Sequence, residues 1–88
     1  MTVNVVRMNK NAGVNLKRIR TEQGLTQRNL AEMTGINIRS IQNYEQGKNS
    51  LYRASYDRLR KISTALNCEI AELVPIVKNI EKGVDKQA

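Results

Sequence analysis

Apolar residues return every three or four positions through most of this chain, and short polar breaks divide the pattern into helical lengths. Leu16 and Ile19, with Val14 near the start, predict a first helix from about Gly13 to Gln23, stopped by Gly24. Lys17 and Arg18 fall on its wet side, whereas Arg20 adjoins the Leu16–Ile19 face and is placed to meet an acid. Leu25 then enters the core and Thr26 caps a second helix, although Thr-x-x-Asn lacks the acidic partner of a full capping box. From Gln27 to Thr34, Leu30 and Met33 share one face with Ala31 beside them. Gly35 is the natural stop, because glycine reaches the left-handed region without steric cost. Ile36 returns to the core and Asn37 offers a side-chain oxygen to cap a third helix. There Ile41 and Tyr44 face inward, leaving Ile38, Arg39, Gln42, Asn43 and Gln46 turned outward.

A polar connection, GKNSLYRAS, follows, with Leu51 pinning it to the core. Leu59, Ile62 and Leu66 stripe a fourth helix from about Ala54 or Ser55 to Leu66, and Asn67 takes the left-handed cap. A short fifth helix, about Glu69 to Val74, buries Ile70 and Leu73 before Pro75 closes it. Residues 1–12, with Val3 and Val5 alternating among asparagines, read as a flexible extension in which Arg7 and Lys10 reach phosphate. Residues 75–88 read as a tail with room for one more short helix through Ile76, Val77 and Ile80. The expected organisation is therefore one all-α domain over residues 13–74, a compact bundle of four to five helices.

Two helices joined by a three- or four-residue turn, the second with a polar outer face, make a helix-turn-helix, here Thr26 to Lys48. Charge sharpens this reading. The formal net charge is +7. Residues 1–66 hold twelve Lys/Arg against Glu22, Glu32, Glu45 and Asp57, a net +8, while residues 67–88 hold three against four, a net −1. The basic excess sits on the part carrying the two-helix unit, and such a field attracts polyanions.

Composition closes off other classes. There is no His, no paired-carboxylate constellation, no phosphate-cradling glycine loop, and Cys68 has no base partner, so an enzyme is not expected. Neither a metal nor a cofactor is expected, since no Cys/His cluster exists. Cys68 reads as a small hydrophobe at the end of a helical pattern. No eighteen-residue apolar run exists and the N-terminal ten residues lack the apolar block of a secretory signal, which points to a cytoplasmic chain with no membrane partner. The three tyrosines show no stacking-platform spacing, against RNA.

The run L-T-Q-x-x-L-A-x-x-x-G-x-x-x-x-x-I-x-x-Y-E-x-G-K, Leu25 to Lys48, resembles the signature of the Cro and phage-repressor (XRE-type) helix-turn-helix family, and the likeness extends over about Val14 to Val74. It implies a lambda-repressor-like DNA-binding domain. It also implies that Gln27 holds a phosphate at the start of helix 2, helped by the helix dipole. Ile38, Arg39 and Asn43 sit where the family's third helix meets base edges, with Asn37, Ser40 and Gln42 at the margins. Arg39 suits guanine, Asn43 suits adenine, and Ile38 offers apolar contact to a thymine methyl. Lys48, Asn49 and Ser50 reach the backbone. Arg20 and Glu45 match a structural ion pair of relatives, which would neutralise an acid lying beside a phosphate-binding surface. The chain departs from the pattern in two places: three extra residues lie between Gly47 and helix 4, and Glu69 stands where a serine often caps helix 5.

These readings predict a sequence-specific binder of double-stranded DNA, a transcriptional regulator of repressor sense, dimeric at least on DNA. The nearly neutral C-terminal part, with Ile76, Val77 and Ile80, is the expected dimer surface. The alternative is an antitoxin or another protein-binding module on the same fold, which would require a protein partner.

Overall fold

A computed structural model of the chain describes residues 12–75. The N-terminal extension and the tail expected to carry the dimer surface lie outside the described residues. Five helices follow in order: α1 Gly13–Glu22, α2 Gln27–Thr34, α3 Ile38–Gln46, α4 Tyr56–Leu66 and α5 Ile70–Leu73. A 3-10 turn, Leu51–Arg53, lies between α3 and α4, and among the described residues there is no strand. The all-α expectation is met. α1 packs on α3 and α5, α2 on α3 and α4, and α4 on α5, so each helix covers part of one core. Leu16, Leu30, Ile41, Leu51, Ile62, Leu66 and Leu73 are fully buried at its centre.

The ends are set by local chemistry. Thr26 Oγ1 accepts from Asn29 N at 2.9 Å, and Asn29 Oδ1 accepts from Thr26 N at 3.0 Å. The box is therefore reciprocal: an amide oxygen serves where an acid was thought necessary, because either accepts one N–H. Gly35 closes α2 at φ 75°, and Asn67 closes α4 at φ 55°, the single non-glycine residue in the left-handed region among those described. Ser55 and Ser50 cap α4 and the 3-10 turn by accepting from Arg58 N and Tyr52 N.

Four expectations need correction. Met33 is 55% exposed, and Thr34 takes the inward place. Met33 lies about 60° around the helix from Leu30 whereas Thr34 lies about 40° away on the buried side. Thr34 is accommodated because its hydroxyl donates to Leu30 O at 2.8 Å and accepts from Ile36 N at 3.1 Å. Val14 is 59% exposed, standing about 160° from Leu16 on α1. Ile70 is half-buried, and α5 is only four residues long. The connection after α3 is not plain loop: Leu51–Arg53 form a 3-10 turn, and its Leu51 is fully buried in the core.

Candidate nucleic-acid interface

The third helix is held from behind by an ion pair. Arg20 lies on the α1 face that meets α3, and its Nε donates to Glu45 Oε2 at 2.6 Å while its Nη2 donates to Glu45 Oε1 at 2.9 Å. Its Nη1 donates to Leu25 O at 2.7 Å, so all three nitrogens of the fork are used. The two side chains keep only 9% and 3% of their surface exposed. The hydrogen bonds it donates to Glu45 raise the Arg20 pKa above the ordinary arginine range, burial opposes them, and the carboxylate's charge adds to the rise. Arg20 stays charged at every pH at which the domain is of interest, and the bidentate geometry fixes the orientation of Glu45.

Glu45 has a third donor. Gln27, the first residue of α2, turns its Nε2 onto Glu45 Oε1 at 3.0 Å, and Gln42 Nε2 approaches Gln27 Oε1 at 3.5 Å. Arg20, Glu45, Gln27 and Gln42 thus form one chain of contacts running from the core of α1 to the outer side of α3. Gln27 and Gln42 are half-buried in this arrangement.

Along α3, Ile41 and Tyr44 are buried with Glu45, and Arg39 and Gln46 are exposed, with Ile38, Gln42 and Asn43 half-exposed between them. Arg39 and Asn43 are four residues apart and share one outer stripe. Asn37 caps the helix: its Oδ1 accepts from Arg39 N at 2.7 Å, which leaves its amide N–H groups to face outward. Past the helix, Lys48 and Asn49 are exposed side chains whose backbone N–H groups are already spent on Asn43 O, at 2.9 and 3.2 Å. They border a concavity of about 480 Å³ shared with Tyr44, Gly47, Ser50, Arg53 and Ala54. Glu22, Glu45 and Asp57 lie against Arg18, Arg20 and Lys61, whereas Arg39, Lys48 and Arg53 have no acidic partner among the described residues. Lys17, Arg28, Arg58 and Arg60 are likewise without one, so the free positive charge includes α3 and the segment just beyond it but is not confined to them.

The profile of the helix-turn-helix family HTH_3 matches residues 16–73. The chain belongs to that family. No curated protein matches it in sequence. Among solved structures it is similar to the restriction-modification controller protein C.AhdI from Aeromonas hydrophila, at 29% identity and a TM-score of 0.66, over 77% of this chain and 98% of that one. It is also similar to an HTH_3 family transcriptional regulator from Vibrio cholerae, at 25% identity and TM-score 0.65, over 75% of this chain and 36% of that one. A transcriptional regulator from Listeria innocua matches at 26% identity and TM-score 0.65, over 80% of this chain and 63% of that one. The chain thus spans nearly all of the controller protein but about a third and under two thirds of the other two.

Within this helix-turn-helix protein, some residues that shape the interface carry no motif signal. Gly13 is buried where α1 crosses α3, and a Cβ there would lie 1.9 Å from Tyr44 O. Nothing in the local pattern marks it, since a glycine at a helix start reads as a cap; the missing information is the tertiary crossing. Arg58 donates from Nη1 to the Tyr44 hydroxyl at 3.0 Å and so ties α4 to the end of α3. Arg53 lines the concavity with Lys48, brought there by the 3-10 turn. Among the described residues no helix is long and apolar enough to cross a membrane.

Proposed function

We propose that this protein is a sequence-specific binder of double-stranded DNA that inserts α3 in the major groove and regulates transcription as a repressor. One observation carries the reading: α3 turns Arg39, Asn43 and the edge of Ile38 outward as a continuous row, while the acid on the same helix is buried against Arg20. A helix presenting Arg and Asn at one-turn spacing is suited to guanine and adenine edges on neighbouring base pairs. Gln27 keeps one amide hydrogen beyond the one given to Glu45, and at the N-terminus of α2 that hydrogen is suited to a phosphate oxygen. Asn37 flanks the row, and Lys48 and Asn49 beyond it position the domain on the backbone without reading sequence.

One module reads only about four base pairs, so two copies bound about one DNA turn apart supply the remaining specificity. The likeness to a controller protein of restriction-modification supports reading this chain as a regulator. A bound dimer covering a promoter blocks access to it, which gives the repressor sense.

A randomised-oligonucleotide selection defines the preferred site, and fluorescence anisotropy against that site and a scrambled duplex tests the assignments. Arg39→Ala should weaken binding to the preferred site by about 1–3 kcal/mol with little effect on scrambled DNA. Lys48→Ala should weaken both alike and lower the salt slope by about one. An Arg39→Ala protein with unchanged sequence preference would refute α3 as the reading helix.

A further inference from the structure

α2 and α4 pack on each other, and at their outer edges they leave a groove of about 410 Å³. α4 lines it with Arg60, Lys61, Thr64 and Ala65, and α2 with Met33. The four α4 residues are two pairs spaced by four, Arg60 with Thr64 and Lys61 with Ala65, so they form one stripe about 8 Å long. Met33 and the half-buried Ala65 supply the apolar surface, whereas Arg60, Lys61 and Thr64 are exposed. A single exposed methionine on open surface would need no explanation. This one lies in a concavity beside two cations. Arg60 has no acidic partner among the described residues, and Lys61 has only Asp57 at 3.2 Å, with both side chains more than half in solvent. A pair that exposed contributes little and is readily exchanged for a better-placed acid. None of the five lining residues carries a carboxylate.

We propose that this groove docks an acidic amphipathic helix of a partner protein. An apolar side chain of that helix lies on Met33 and Ala65, and Glu or Asp one turn to either side meets Arg60 and Lys61. Helices bind such grooves through apolar anchors spaced by three, four and seven residues, and the unbranched Met chain adapts to what it receives. Charge decides the occupant. A basic segment is repelled by Arg60 and Lys61, and a neutral one covers Arg60 without pairing it. Since Lys61 already has Asp57, Arg60 carries the larger share of this selection. Met33 lies six residues beyond Gln27, about 9 Å along α2 and about 120° around it. None of the lining residues belongs to α3 or to residues 48–53, so the groove is open to a partner while α3 faces DNA.

A displayed library of short helical peptides, randomised along one face, is selected against the full chain. The most enriched sequence is then synthesised and titrated by fluorescence anisotropy. It should carry an apolar residue with Glu or Asp one turn away, and its affinity should fall at least about ten-fold for Met33→Glu and for Arg60→Glu. Exchanging its acids for Lys should abolish binding to the wild type and restore binding to Arg60→Glu. Both substituted positions are exposed, so each variant should keep the wild-type Tm and the wild-type DNA site preference. Conversely, Arg39→Ala should leave the peptide affinity unchanged, which keeps the two surfaces and the two claims apart. Enrichment of basic or uncharged peptides, no enrichment at all, or a selected peptide that binds both variants as tightly as the wild type overturns the docking site. So does a dimer of the free chain that dissociates in Met33→Glu, which assigns the groove to a second copy. A salt slope for DNA lowered as far in Arg60→Glu as in Lys48→Ala also overturns it, assigning the groove to the duplex.

Discussion

Removing the Glu45 carboxylate is the sharpest test of how α3 is held. Glu45→Ala deletes three hydrogen bonds at once, two from Arg20 at 2.6 and 2.9 Å and one from Gln27 at 3.0 Å. Arg20 keeps only its bond to Leu25 O, and its guanidinium stays in a place where 9% of the side chain meets solvent. A buried charge stripped of its partner costs about 3–5 kcal/mol. Domains of this size are stable by about 5–15 kcal/mol in total, so a large share of the fold's stability is at stake. At about 4–8 °C per kcal/mol, Tm should fall by at least about 12 °C, read by circular dichroism at neutral pH and checked by urea titration. The exposed pair Arg18–Glu22, at 3.4 Å and with both side chains more than half in solvent, is the control, and Glu22→Ala should barely move Tm. The cause is tested by Arg20→Met/Glu45→Leu, which removes both charges and should recover most of the loss. A Tm change below about 3 °C for Glu45→Ala, or a double variant no better than the single one, would overturn this account of the brace.

Three further outcomes follow from the geometry. Gly13→Ala puts a methyl 1.9 Å from Tyr44 O and 2.9 Å from Glu45 Cα, backbone atoms that cannot rotate away, so α1 must back off from α3. We expect at least about 2 kcal/mol of destabilisation by urea titration despite alanine's better helix propensity; a stabilised variant would contradict the crossing. Asn67→Ala keeps the left-handed φ of 55° but loses the residue type that tolerates it, and should cost about 1 kcal/mol in the same assay, while Asn67→Gly should cost nothing. Burial raises the pKa of Tyr52 above 10.0 and that of Cys68 above 9.0, the latter helped by Glu72 and Glu69. In both groups the fold favours the protonated form, so their contribution is whole below the unfolded values and is lost as pH rises past them. Denaturation midpoints should therefore be flat to about pH 9 and fall above it, with a shallower fall in Tyr52→Phe; a midpoint that rises between pH 9 and 11 would reverse the sign.

Periodicity located every helix because each carries its own buried stripe: Leu16 and Ile19, Leu30, Ile41 and Tyr44, Leu59 with Ile62 and Leu66, and Leu73 are all in the core. It failed where two residues compete for one inward position. Met33 is the more apolar of the pair, but Thr34 is closer to the centre of the stripe and satisfies its own hydroxyl within the turn. Hydropathy ranks side chains and is blind to a hydrogen bond made locally. Gly13 shows a second limit, since its requirement comes from a helix 31 residues away in sequence, at Tyr44. For the interface, residue types and spacing marked the outward row on α3. The contacts that orient Gln27 and Gln42 were not legible, because they depend on which of three donors a single carboxylate collects.

An acid beside a surface proposed to meet phosphate has to be explained by something an apolar residue could not do. Its repulsion is offset by Arg20, which leaves Arg39 on α3 and Lys48 and Arg53 beyond it unopposed by that acid. Stability alone does not require the pair, because a well-packed apolar replacement of both members holds helices together as well or better. What an apolar residue cannot supply is an obligate acceptor for Gln27. On that ground the two roles of Glu45 are separable: Arg20→Met/Glu45→Leu should regain the stability lost in Glu45→Ala and yet leave Gln27 without the acceptor that fixes its amide. A domain as stable as the wild type that binds every DNA sequence more weakly would show that the ion pair is kept to orient Gln27. Unchanged affinity in that double variant would leave Glu45 a brace and nothing more.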